Sequence, residues 1–142
     1  MRVVIDTNVF VSALISADGA PRKVIRFALE GQIEPVFGNA LFAEYEDVLA
    51  REALFTRAPL NRAERSALFD ALLSVSRWTS LHFLWRPNLI DEADNHVVEL
   101  AIAAGADAII TGNIRDFRRA DLLFPALQIY TAGDFIQSRR RI

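Results

Sequence analysis

The chain has 142 residues and a formal net charge of −2, the size of one domain and too short for two ordinary ones. Hydrophobic residues make up 52% and charged residues 24%, which excludes disorder and low complexity. There is no cysteine, and a single lysine, Lys23, stands against fifteen arginines. A disulfide scaffold, a thiolate zinc site, a cysteine nucleophile and a P-loop are therefore excluded. The only histidines are His82 and His96, so chemistry must lean on carboxylates, hydroxyls, amides and arginine. A strongly basic nucleic-acid clamp is excluded by the charge. Arginine suits bidentate pairing with carboxylate or phosphate, although codon bias and ordinary surface charge account for its excess more simply.

The N-terminal Met-Arg-Val-Val-Ile-Asp reads as a strand rather than a signal peptide, with Val3-Val4-Ile5 as a β-branched run suited to burial on both faces. Asp6-Thr7-Asn8 follows, then a mostly buried helix over 9–15. That stretch is too short to span a membrane, and the chain is expected to be cytoplasmic. Pro21 opens a helix that continues over 22–30 and ends at Gly31. A strand over 33–37 precedes a helix capped by Asn39 and running to about Glu52. Asn61 with Glu64 three residues on is a capping box for a helix to about Val75. A weaker strand, 77–83, is flanked by Trp78 and Trp85, which are read as packing residues. Asp91 to Asp94 open a helix that ends at Gly105. A buried strand over 106–111, a loop over 112–119, a strand over 127–130 and a helix capped by Thr131 complete the chain. The terminal Arg139-Arg140-Arg141 reads as a solvated tail.

Strands alternate with helices from end to end, the pattern of an α/β domain spanning residues 1–142, with a mainly parallel sheet between two layers of helices. Sites in such sheets lie beyond the carboxyl ends of the strands. That rule singles out Asp6, Asn113 and Asp116.

Two further acids stand where apolar residues are expected. At 100° per residue, Leu41, Tyr45, Val48 and Leu49 form the apolar stripe of their helix, and Glu44 falls on it while Glu46 and Asp47 do not. In the helix after residue 94 the inward face is Val97, Val98, Ala101 and Gly105. Asp94 lies on that face, and Glu99 and His96 are expected to point away from it. A carboxylate withdrawn from water needs a partner: an arginine, a helix N-terminus or a metal ion. Converging oxygen donors without cysteine suit hard dications such as Mg²⁺ or Mn²⁺.

The ordered set formed by Asp6-Thr7-Asn8 at the first strand's end, Glu44, Asp94 opening a helix, and Thr111-Gly112-Asn113-Ile114-Arg115-Asp116-Phe117 resembles the PIN-domain family along nearly the whole chain. Within it the chain is most similar to the small toxins of the VapC type. The resemblance implies a three-layer α/β/α PIN-like fold and a Mg²⁺- or Mn²⁺-dependent endoribonuclease, with RNA as substrate and a small antitoxin as partner. It implies Asp6, Glu44 and Asp94 as catalytic metal ligands. For the fourth position, many members place an aspartate where this chain has Asn113; others have asparagine there and an aspartate three residues on, as Asp116 is here. Thr7, Asn8, Thr111 and Asp91 are implied as residues that hold the carboxylates or substrate phosphate. Arg115, Arg118 and Arg119, by their place beside the predicted site loop, are candidate contacts to an RNA backbone.

The apolar residues Phe42, Tyr45, Leu49, Leu54 and Phe55 suit core packing, a homodimer face or an antitoxin groove. A degenerate PIN fold that binds RNA or protein without catalysis is the alternative reading, kept open by the neutral Asn113. A haloacid-dehalogenase-type phosphohydrolase requires a second aspartate where Asn8 stands.

Overall fold

The computed structural model describes residues 1–80 and 95–140. In chain order it forms β1 (Arg2–Ile5), α1 (Thr7–Ile15), α2 (Ala20–Leu29), β2 (Glu34–Phe37), α3 (Asn39–Leu49), α4 (Arg62–Ser74), β3 (Arg77–Trp78), α5 (Asn95–Ala104), β4 (Ala108–Ile110), α6 (Arg118–Leu123), β5 (Gln128–Tyr130) and α7 (Ala132–Arg140). Single 3₁₀ turns occur at Glu52–Phe55 and Ile114–Phe117.

The strands make one parallel sheet in the order β3-β2-β1-β4-β5. Val3 stands opposite Pro35 on one side and Ala108 on the other, and Ile5 stands opposite Ile110, which is opposite Tyr130. The β-branched run explains why β1 is central: Val3, Val4 and Ile5 are all buried, as are Ala108, Ile109 and Ile110 of β4. Such strands need cover on both faces, and the helices supply it in a three-layer α/β/α arrangement. The edge strand β3 is exposed at both residues. The chain builds outward from β1 through β2 to β3, then returns to place β4 on the opposite side of β1. The carboxyl ends of β1 and β4 therefore flank a crevice at the point where the strand order reverses.

Local signals set several boundaries. Asn61 and Glu64 form the reciprocal capping box, each at 2.9 Å. The chain leaves α2 and α5 through Gly31 (φ 78°) and Gly105 (φ 65°). In each case the glycine N–H and the next N–H bond back to carbonyls of the last turn, Ala28 and Phe27 or Ile102 and Ala101, a geometry that favours a residue without Cβ.

Three expectations are corrected. Gly38, not Asn39, caps α3. That helix stops at Leu49, and Glu52 belongs to the separate 3₁₀ turn, where it receives Arg65 at 2.6 Å. The expected loop over 112–119 is largely ordered: it contains the 3₁₀ turn Ile114–Phe117 and the start of α6, because Phe117 and Ala120 are buried and pull that segment onto the core. Residues 81–83 of the weak strand, Trp85, and the Asp91–Asp94 helix opening lie outside the described residues. Among the described residues no helix is long and apolar enough to cross a membrane.

The core beneath α3 is aromatic. Tyr45 stacks on Phe69 at 5.4 Å and meets Phe37 edge-on at 4.8 Å, geometries that contribute beyond area burial. Tyr45 and Phe55 are core residues, Phe42 and Leu49 are half-buried, and Leu54 is 44% exposed. The Tyr45 hydroxyl donates 2.7 Å to the carbonyl of Ile5, tying α3 to the end of β1; its burial pushes the phenol well above its ordinary pKa, so it stays neutral. Tyr45→Phe removes the donor and leaves the packing, with an expected loss of about 1–3 kcal/mol from the unsatisfied carbonyl, to be read from the midpoint of urea denaturation.

Candidate active site

Asp6 is the residue after β1 and the N-cap of α1, and it is only 4% exposed. Its Oδ1 accepts the Thr7 backbone N–H at 2.9 Å. Its Oδ2 accepts the Thr111 hydroxyl at 2.8 Å and the Asn8 amide at 3.2 Å. Thr111, fully buried at the end of β4, in turn accepts the Asn113 N–H at 3.0 Å. Asn8 Oδ1 accepts the Gly112 N–H at 2.8 Å. A Cβ on Gly112 would lie 3.1 Å from that same Asn8 oxygen, so the close approach favours glycine. The two strand ends flanking the crevice are thus joined by a bond between side chains, Thr111 to Asp6, and by one from backbone to side chain, Gly112 to Asn8.

Glu44 reaches the crevice from α3. Thr7 Oγ1 donates to its Oε1 at 2.6 Å, and His96 Nε2 lies 2.7 Å from its Oε2. Asp6 and Glu44 line one cleft of about 360 Å³ together with Thr7, Asn8, Ser12 and Asn113. A neighbouring cleft of about 440 Å³ shares Asn8, Ser12 and Asn113 and extends to Thr131 and Gly133. The electrostatics of the two acids differ. Burial raises the Asp6 carboxyl above its ordinary pKa; the Thr111 hydrogen bond opposes this, and the charge of Glu44 adds to it. Glu44 is lowered, first by its hydrogen bond with His96, with burial opposing and Thr7 assisting.

The sequence-predicted residues are distributed as follows. Asp6, Thr7, Asn8, Glu44, Thr111 and Asn113 come together. Asp91 and Asp94 lie outside the described residues. Asp116 sits half-buried in the 3₁₀ turn, its N–H bonded to the Asn113 carbonyl, and does not line the cleft. Arg115 and Arg118 are exposed beside that turn; Arg119 is in α6, and its side chain lies outside the described residues. Two orientations differ from expectation. His96 turns toward Glu44 rather than away, and Glu99 is buried at 6% exposure. The reason is that α5 packs on β1, β2 and β4 as well as on α3. A helix covered on several sides has no single inward stripe. No residue spacing signals the His96–Glu44 pair, because its members lie 52 positions apart on different helices.

Among the described residues no three acidic, histidine or cysteine side chains stand together as a complete metal cage. The oxygen donors present nevertheless fit a hard dication. Asp6 and Glu44 share a cleft, repel each other and disfavour ionisation of Asp6, and a cation between them would relieve both penalties.

A parallel α/β sheet with carboxylates facing a crevice at its switch point defines a class of acidic-site domains. Comparison narrows that class: residues 2–115 match the model of the PIN domain, and the chain belongs to this family. Its members are generally nucleases. Among solved structures it resembles a chain of VapBC2 from Rickettsia felis bound to a DNA fragment from their promoter. The TM-score is 0.60 and the identity 16%, covering 92% of this chain and 98% of that one. No curated protein sequence matches it.

Because Asp6 is raised, its ionised form opposes folding: stability is fullest below the unfolded pKa and declines as pH rises through the folded one. Asp6→Asn removes the buried charge, and it is expected to have an advantage in melting temperature over wild type that grows as pH rises out of the acid range. Melting curves at decreasing pH should show that advantage vanish as wild-type Asp6 takes up its proton.

Proposed function

We propose that this PIN-domain protein is an endoribonuclease, dependent on Mg²⁺ or Mn²⁺, and the toxin of a toxin–antitoxin pair. The observation that carries the reading is the sharing of one cleft by Asp6 and Glu44 at the switch point of the sheet. Asp6, Glu44 and Asp94 would hold the ion, with the Asn113 amide completing the set and Asp116 steadying the turn that carries it. When bound, the ion neutralises phosphate charge and makes water more acidic.

The chain's own groups do the rest. Thr111 and Asn8 fix the Asp6 carboxylate, and Thr7 fixes Glu44. A carboxylate of the cluster takes the proton of the attacking water. The neighbouring cleft, continuous through Asn8 and Asn113, would receive the flanking nucleotides, with Arg115, Arg118 and Arg119 beside the backbone phosphates. A small antitoxin protein is the proposed partner; the VapBC2 complex supports it by fold alone.

Cleavage of a labelled RNA is expected to require Mn²⁺ or Mg²⁺, to stop with EDTA, and to fall by at least about 100-fold in Glu44→Gln and Asp6→Asn. Cleavage that survives both EDTA and Asp6→Asn would sink the proposal. RNA binding without any metal-dependent cleavage would favour the catalytically silent binding module.

A further inference from the structure

We propose that His96 is a positioning residue for Glu44: its Nε2–H, working against the Thr7 hydroxyl, clamps the Glu44 carboxylate at the cleft it shares with Asp6. The inference rests on the metal-binding reading above and concerns a residue that reading does not use. Glu44 is half-exposed, its side chain 36% accessible, and a free glutamate on a helix surface would distribute over many rotamers. Here its two oxygens are held from opposite helices, Oε1 by Thr7 of α1 at 2.6 Å and Oε2 by His96 of α5 at 2.7 Å. A carboxylate offers about four lone-pair directions. Two are used by the clamp, and the rest remain for a ligand.

The histidine is built as a one-way donor. Its Nδ1 is buried and has no hydrogen-bond partner among the described residues. A hydrogen placed there would be an unpaired buried donor, whereas a hydrogen on Nε2 meets an acceptor, so the network assigns the Nε2–H tautomer. Neither nitrogen is then available to a metal: Nε2 is engaged with Glu44, and Nδ1 is enclosed. This separates a positioning role from that of a ligand. The anchor is firm, since Val97, Val98, Leu100 and Ala101, which follow His96 on α5, are all buried.

The test is calorimetric titration of the chelator-treated protein with Mn²⁺ alone, beside its melting temperature. Variants are His96→Ala, His96→Asn, whose amide is too short to reach Glu44, and His96→Gln, whose amide nitrogen falls near the Nε2 position. His96→Ala and His96→Asn are expected to bind Mn²⁺ about 10- to 100-fold more weakly, the usual effect of losing a group that orients a ligand. His96→Gln should recover most of that loss. A residue that merely packs would lower the melting temperature and leave Mn²⁺ affinity unchanged. Wild-type affinity in both Ala and Asn variants, or a Gln variant as weak as Ala, overturns the inference while the metal-dependent reading stands. Failure of the wild-type protein to bind Mn²⁺ overturns that reading, and this inference with it.

Discussion

A carboxylate withdrawn from water at the end of the central strand is the constraint around which the rest of the structure is arranged. Asp6 must follow β1 directly, because only there can it cap α1 and meet the Thr111 hydroxyl at the end of β4. Its burial is unfavourable for the charged form. Hydrogen bonds from Thr7, Asn8 and Thr111 offset part of that cost, and the geometry that supplies them also pins the two central strand ends together. An apolar residue at this position would suit the core better. The fold instead keeps an electrostatic penalty that a cation can relieve, an arrangement typical of functional sites.

Glu44 is treated differently, although it faces the same cleft. It is more accessible, and its partners favour the ionised form. The pair is therefore unequal. One acid is rigid, deeply placed and reluctant to ionise; the other is held ionised by side chains from α1 and α5. Glu44 also makes α3 part of the site, and the next residue, Tyr45, anchors that helix to the Ile5 carbonyl. Consecutive residues of one helix thus serve the cleft and its foundation.

Much of the architecture was legible in one dimension. β-branched runs marked β1 and β4, glycines marked the ends of α2 and α5, and Asn61 with Glu64 marked the start of α4. These are local effects, satisfied within a few residues. The acid on the apolar stripe of α3 was legible for a related reason: a helix exposed on one side has a readable inward face. That logic failed for α5, where burial on several sides concealed both the turn of His96 toward Glu44 and the burial of Glu99. It failed again at 112–119, where long-range contacts of Phe117 and Ala120, rather than local propensity, ordered the segment.

By itself, the order of residues determined the alternation of strands and helices, the position of Asp6 at a strand end, and the family to which the chain belongs, because periodicity and capping act between near neighbours. Only the tertiary structure decided which groups face each other: that Thr111 serves Asp6, that Thr7 turns its hydroxyl to Glu44, that Asn113 lines the cleft while Asp116 does not, and that His96 completes the clamp. Those pairings join parts of the chain 37 to 105 residues apart. Distance along the backbone carries no information about them; they follow from the parallel strand order, which brings remote strand ends and helix faces to one crevice.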